Sequence, residues 1–308
     1  MESTNKPSER TFTSFTSAQA TAYASARPAY SPALYDVVFS YHAATGGQFG
    51  TLLDVGCGPG NATRDLARHF EDAVGCDAGE GMAEAANKLG GKCKSGRDVR
   101  FDVSSAEEFS KLESVREGVD MLTVAMAVSE SVEFVVPFWA EAAKVVKPGG
   151  TVAIWTRVSG FPHPKMEKAT EINEIVFRFE RDILLPYELP GNRMSRELYA
   201  NIPLPWQVDP IVSSFLESDF IRHEYDKDGV LSNGESFFGG DYTANLRQIE
   251  KGLATSSMVI RWREAHPGLA GTEKDCLRVF IEELREVLGG KDEIVSGSAT
   301  VILLFKKT

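Results

Sequence analysis

From Gly50 onward the chain alternates short apolar runs with helically spaced stripes. The run from Gly50 to Val55 carries Asp54 near its end and leads into a glycine-rich turn. Asn61 to Phe70 then places Ala62, Leu66, Ala67 and Phe70 on one helical face. Ala73 to Cys76 predicts a second strand and Met82 to Leu89 a second helix. Val99 to Val103, Asp120 to Ala125 and Thr151 to Trp155 predict three more strands with helices between them. Lys147-Pro148-Gly149-Gly150 turns the chain into the last of these. Strands alternating with helices in this way form a parallel sheet covered on both faces. Ahead of it, Tyr35 to His42 has helical spacing behind a Ser31-Pro32 start signal.

After Trp155 the alternation stops. Residues 157 to 208 carry proline, aromatic and arginine residues at irregular spacing, with one amphipathic helix near Glu167 to Phe179. Phe215 to Tyr225 reads as a helix end feeding a strand, residues 230 to 290 as mostly helical, and Ser298 to Lys306 as a closing β-branched strand. The expected architecture is α/β: a doubly wound, mostly parallel sheet, an antiparallel edge strand formed by the last two strands, and a helical cap over the active site. It divides into a disordered tail (1–20), an N-terminal lid and helix (21–45), a ligand-binding core (46–156) and a cap insertion (157–210). A last segment (211–308) holds the final strands around a helical insertion at about 230–290.

Composition narrows the classes. With 43% hydrophobic residues in 308, the chain can bury both such a core and the cap. The first 20 residues are small and polar and lack the apolar stretch of a signal peptide. A net charge of −11 repels a phosphate backbone, so nucleic acid is excluded as a partner. The most apolar run, Val301 to Phe305, suits a strand rather than a membrane span. The four cysteines are scattered, with no Cys/His cluster, so no metal site and no disulfide framework are expected. A reducing, cytoplasmic setting and a monomer or homodimer follow as expectations.

The candidate chemistry sits in Leu52-Leu53-Asp54-Val55-Gly56-Cys57-Gly58-Pro59-Gly60, a buried strand running into glycines that let a ligand touch backbone, with a helix N-terminus next. A dinucleotide fingerprint would need a small residue where Asn61 stands, which disfavours a nicotinamide enzyme. Asp77 ends the following strand, where a carboxylate can accept both ribose hydroxyls of an adenosine.

These residues resemble the class I S-adenosylmethionine-dependent methyltransferases and, within them, the trans-aconitate methyltransferase group. Besides the glycine loop, the resemblance rests on Tyr23-Ala24-Ser25-Ala26-Arg27-Pro28-Ala29-Tyr30, Gly75-Cys76-Asp77, Val103-Ser104-Ser105-Ala106-Glu107, Asp120-Met121-Leu122-Thr123 and the Lys147-to-Trp155 turn and strand. It implies a Rossmann-like sheet and S-adenosylmethionine as cofactor. Gly56, Gly58 and Gly60 would let the backbone pack against the cofactor, and Asp54 would organise the loop and face the methionine amino group. Asp77 would take the ribose, Ser105 and Ala106 the adenine edge, and Met82 the adenine face. Tyr23 and Arg27 would fold over the pocket, with Arg27 near the methionine carboxylate.

After the fourth strand the family reads close to Ala-His-Trp-Phe, whereas this chain has Ala127-Val128-Ser129-Glu130-Ser131-Val132-Glu133-Phe134; the loop keeps its place and not its chemistry. Ser129 and Glu130 are expected to touch the acceptor. Arg193 and Arg196, behind Pro190-Gly191-Asn192, could clamp an acidic acceptor or simply pair with Glu188 or Glu197. Trp206, with Phe161, His163, Tyr187, Phe237, Phe238 and Tyr242, supplies aromatic candidates for the acceptor pocket. Glu130, Glu133, His163 and Asp241 are candidates for a general base, which only a hydroxyl acceptor needs. Two readings follow: methyl transfer to a carboxylate or hydroxyl of a small molecule, or a cofactor-binding protein of this fold that transfers no methyl and serves as rearrangement catalyst or regulator.

Overall fold

The computed structural model describes residues 11–27, 29–128 and 132–308. Two helices, α1 (Ser17–Ala26) and α2 (Pro32–Ala44), precede the sheet. The alternating part runs β1 (Thr51–Val55), α3 (Asn61–Ala67), β2 (Asp72–Asp77), α4 (Glu80–Leu89), β3 (Arg100–Val103), β4 (Val119–Ala125), α5 (Val132–Val145) and β5 (Val146–Pro162). Then come α6 (Ala169–Arg178), α7 (Pro190–Arg196), β6 (Ile221–Tyr225), β7 (Tyr242–Asn245), α8 (Leu246–Leu253), α9 (Ser257–Ala265), α10 (Cys276–Leu288) and β8 (Glu293–Lys306).

The strands form one eight-stranded sheet in the order β3-β2-β1-β4-β5-β8-β6, with β7 also on β8. Neighbours from β3 to β5 are parallel, and β8 runs antiparallel to β5, β6 and β7. The reversed strand therefore lies one place in from the edge, and β6 outside it points the same way as β1. The last two strands are not a hairpin, because β7 and three helices intervene between β6 and β8.

Both faces of the sheet are covered, and each strand shows it. Leu52 and Leu53 are both fully buried, yet they belong to opposite cores: Leu53 packs with Leu122, Trp139 and Ile154, and Leu52 with Val38, Leu66 and Trp155. A separate apolar core joins Ile172, Phe179, Leu246, Trp262 and Phe280. The cap insertion and the later helical insertion, which the sequence divides, therefore share one core, with Phe179 and Phe280 stacked at 4.3 Å. The stretch 230–245 is turns and β7 rather than helix.

The N-terminus departs from expectation. Residues 11–20 are ordered, not part of a disordered tail: α1 is opened by a capping box between Thr16 and Gln19. Phe12 and Phe15 pack against it with Ala20 and Met82. Residues 1–10 lie outside the described ones.

Candidate active site

The carboxyl ends of β1, β2 and β4, the N-terminal segment and α7 enclose a cavity of about 530 Å³. At its floor the loop after β1 is held in an unusual backbone: Gly56, Gly58 and Gly60 have φ of +66°, +53° and +80°. A Cβ at Gly58 would meet nothing within 4 Å, so a ligand can approach the backbone there. Gly60 does a different job. Its Cβ would lie 2.5 Å from the Phe101 ring, and the residue does not line the cavity; it lets α3 pack against β3 rather than touching a cofactor.

The two predicted carboxylates also divide. Asp54 is buried, and its oxygens accept from Thr63 Oγ1 at 2.6 Å and Thr123 Oγ1 at 2.7 Å. It fastens β1 to α3 and β4 and does not line the cavity. Burial pushes its pKa up to about 6, against the pull of the two hydroxyls. Asp77 does line the cavity, accepting from the Gly58 and Gly79 amides, each at 2.8 Å. Burial raises its pKa, opposed by those amides. Each oxygen keeps a further lone pair for a ribose hydroxyl.

Met82, Ser104 and Ala106 line the cavity, and Ser105 does not. The N-terminal segment closes the opposite side through Phe12, Thr13, Tyr23, Arg27 and Tyr30. Arg27 lies over the Tyr23 ring at 4.9 Å and donates to the Thr255 carbonyl, while its Nε is buried with no hydrogen-bond partner among the described residues. Arg157, within β5, lies over Tyr30 at 4.9 Å and donates to the Ala29 carbonyl. Burial and then the nearby Arg27 charge lower its pKa.

Several expected acceptor contacts are placed elsewhere. Arg196 donates twice to Glu188, at 2.8 and 3.1 Å, and Arg193 adds a third bond at 3.3 Å. Both arginines are thus turned onto a buried carboxylate and neither lines the cavity. Trp206 packs on Phe220 and Phe305 at the sheet edge. His163 bonds the Glu235 carbonyl and stands 3.7 Å from Asp241, away from the cavity, so neither is positioned as its base. Phe161, Tyr187, Phe237, Phe238 and Tyr242 are also absent from its lining. Ser129, Glu130 and the side chain of Glu133 lie outside the described residues.

Phe12, Thr13, Trp139, Arg157 and Ser195 line the cavity unforeseen. The isolated aromatics and the Thr16-to-Gln19 spacing were the available signal for the first two; Trp139, Arg157 and Ser195 reach the cavity only through tertiary packing. Among the described residues no cluster could hold a metal, and no helix is long and apolar enough to cross a membrane.

Residues 53–154 match the methyltransferase domain family. Together with the fold and the glycine loop, this defines a class I S-adenosylmethionine-dependent methyltransferase. The site fits that cofactor: Asp77 for the ribose, open space at Gly58 for close approach, and an unpartnered Arg27 Nε for a carboxylate. The chain is similar to the methyltransferase cfoB of Aspergillus candidus, 26% identical over 97% of this chain and 98% of that one. It is 22% identical to CRG1 of Saccharomyces cerevisiae, named as a probable S-adenosylmethionine-dependent methyltransferase, over 88% of each chain. A protein of Anaeromyxobacter dehalogenans assigned as a type II methyltransferase shares the fold, with a TM-score of 0.60 and 22% identity over 91% of this chain and 97% of that one.

Proposed function

We propose that the enzyme methylates an oxygen, carboxylate or hydroxyl, of a small-molecule acceptor. The observation that carries this reading is that the same cavity is lined, besides the glycine loop, by the apolar Val128, Phe138, Ile154 and Ile202, which give a small molecule a wall to pack on beside the cofactor. S-adenosylmethionine supplies a methyl on a sulfonium, which an acceptor lone pair takes while the C–S electron pair stays on sulfur. The chain's own part is to align the partners and exclude water. Phe12 and Tyr23 close one side of the cavity, and Ser195 and Ile202 the other.

A carboxylate acceptor needs no base. A hydroxyl must lose its proton, and Glu130 and Glu133 are the candidates this reading retains. The finer resemblance, to trans-aconitate methyltransferases, finds little support in the cap, because the arginines suited to a polyacid close on Glu188. The four cysteines, all free and buried, suit a reducing cytoplasm. Incubation with methyl-labelled S-adenosylmethionine and a panel of acids, phenols and alcohols tests the reading: label should move to an oxygen. Tight cofactor binding with no transfer across the panel would favour a non-transferring binding protein instead.

A further inference from the structure

One end of the sheet is open. β6 pairs with β8 alone, so among the described residues the backbone groups on its other side meet no strand. The same flank continues ahead of β6 at Phe215, which bridges Lys307 further along β8. Leu216 and Ile221 are exposed apolar side chains on this border. A row of unused N–H and C=O groups is a template for a further strand, and soluble proteins either blunt it or pair it.

Alternation along β6 puts Ile221, His223 and Tyr225 on one face of the sheet and Arg222 and Glu224 on the other. Arg222 donates to Glu224 within the strand, at 2.8 Å from Nε, and to the Leu198 and Tyr199 carbonyls at 2.6 and 3.3 Å. Partial burial would raise the Glu224 pKa; the Arg222 contacts outweigh it and hold the carboxyl below its ordinary value, so both groups are charged at neutral pH. Tyr225 is fixed by its ring, stacked on Phe238 at 3.6 Å.

A second β6 brought alongside by a two-fold axis normal to the sheet runs antiparallel and keeps each face on its own side. Facing residues then belong to the same face. Three centres keep most of the strand paired: Arg222, His223 or Glu224 opposite its own counterpart. The first sets arginine against arginine and the last glutamate against glutamate, and like charges directly opposite are destabilising. Centred on His223, Arg222 faces the partner's Glu224 and Ile221 faces the partner's Tyr225, an ion pair and an aliphatic–aromatic pair, each made twice. With −11 on every chain, copies repel over most approaches, which favours a joint that sets unlike charges opposite one another.

We propose that two copies of this chain join through their β6 edges, antiparallel and centred on His223, so that the eight-stranded sheet of each continues into the other. The occupant is a second copy because the edge is complementary to itself. A joint of one short strand is small, which makes the dimer weak and concentration-dependent. The active-site cavity lies at β1, β2 and β4, beyond β5 and β8 from this edge, so the joint takes no residue from it.

Sedimentation velocity of the full chain over roughly 1–200 µM, where small interfaces dissociate, tests this. The weight-average mass should rise toward that of a dimer. Glu224→Arg sets cations opposite one another and Arg222→Glu anions, so each alone should weaken self-association at least about tenfold. Mixed in equal amounts, the two variants should associate again, since every facing pair is then of unlike charge. Each should keep a cooperative melting transition and an S-adenosylhomocysteine affinity within about twofold of the parent, because the edge is remote from the cavity. If Arg222→Glu does not fold, for want of its bonds to the Leu198 and Tyr199 carbonyls, His223→Cys decides. A short bis-maleimide should join that variant into a covalent dimer and leave the parent, with its four cysteines buried, unlinked. A monomer at every concentration would overturn the proposal, as would no recovery on mixing two folded variants or no linkage through His223→Cys. Self-association that neither charge reversal weakens would also overturn it, by placing the contact on another face.

Discussion

Two carboxylates end adjacent strands, and their surroundings give them different work. Asp54, with both oxygens satisfied by threonine hydroxyls, has its pKa raised by burial to about 6. Its ionised form is therefore disfavoured in the folded protein. The sign follows: its stabilising contribution is complete below the ordinary carboxylate pKa and is lost as pH rises through about 6. A shift of this size corresponds to roughly 3 kcal/mol. Asp54→Asn, which cannot ionise, should gain stability relative to the parent as pH rises from 4 to 7 in denaturant titrations. A difference that stays flat with pH would contradict that environment. Gly58→Val should abolish cofactor binding in a protein that still folds, since the side chain would enter the cavity at a backbone angle valine resists; retained affinity would remove the loop from the site. Arg196 is bound twice to Glu188 and Arg193 once, while burial alone would raise the Glu188 pKa; the arginine contacts outweigh it and hold the carboxyl below its usual value. Arg196→Met should therefore cost roughly 2 kcal/mol of stability with little change in acceptor KM. A large KM effect without loss of stability would restore it as a substrate ligand.

Among the elements, the N-terminal segment is the one the sequence concealed. Its helix, Ser-Ala-Gln-Ala-Thr-Ala-Tyr-Ala-Ser-Ala, has no apolar stripe, so periodicity gives no signal. Its order comes from outside the helix. The Phe15 carbonyl lies where a side chain at Gly81 would stand, 2.0 Å from an added Cβ. Arg27 reaches the Thr255 carbonyl, and Arg261 of α9 reaches Thr11 Oγ1. The segment thus bridges the start of α4 and the cap across the cavity. Amide exchange over residues 11–27 should slow when S-adenosylhomocysteine binds, because these few contacts place it at the low-stability end of the fold; equal exchange with and without ligand would show that it does not act as a lid. The first four strands, by contrast, were legible to within a few residues, whereas β5 and β8 run well beyond the apolar runs that mark them and β7 lies in a stretch that reads as helical. Central strands buried on both faces read as largely apolar runs, such as Val119–Ala125, where Asp120 and Thr123 are the polar residues. The order of the last strands was not legible, since β6, β7 and β8 meet only after the chain has traversed three helices.

At the scale of the molecule, the half of the site proposed for the cofactor was written locally and the half proposed for the acceptor was not. Gly56, Gly58 and Asp77 come from one loop and the next strand end, so spacing alone could assemble them. The apolar wall takes residues from β4, α5, β5 and the segment after α7, brought together only by packing, and the arginines that looked like an anion clamp had a nearer carboxylate. The net charge of −11 predicts no measurable association with duplex DNA even at low salt, where such binding is strongest. The central claim is that S-adenosylmethionine is held between the glycine loop and Asp77. Calorimetric titration of the cofactor into the parent and into Asp77→Ala tests it most directly. Loss of a carboxylate that accepts two charge-assisted hydrogen bonds should weaken binding at least tenfold, at about 1.5–3 kcal/mol per bond. Saturable binding by the parent and at least a tenfold loss in the variant is the predicted result; equal affinity in a folded Asp77→Ala protein, or no binding by the parent, would contradict it.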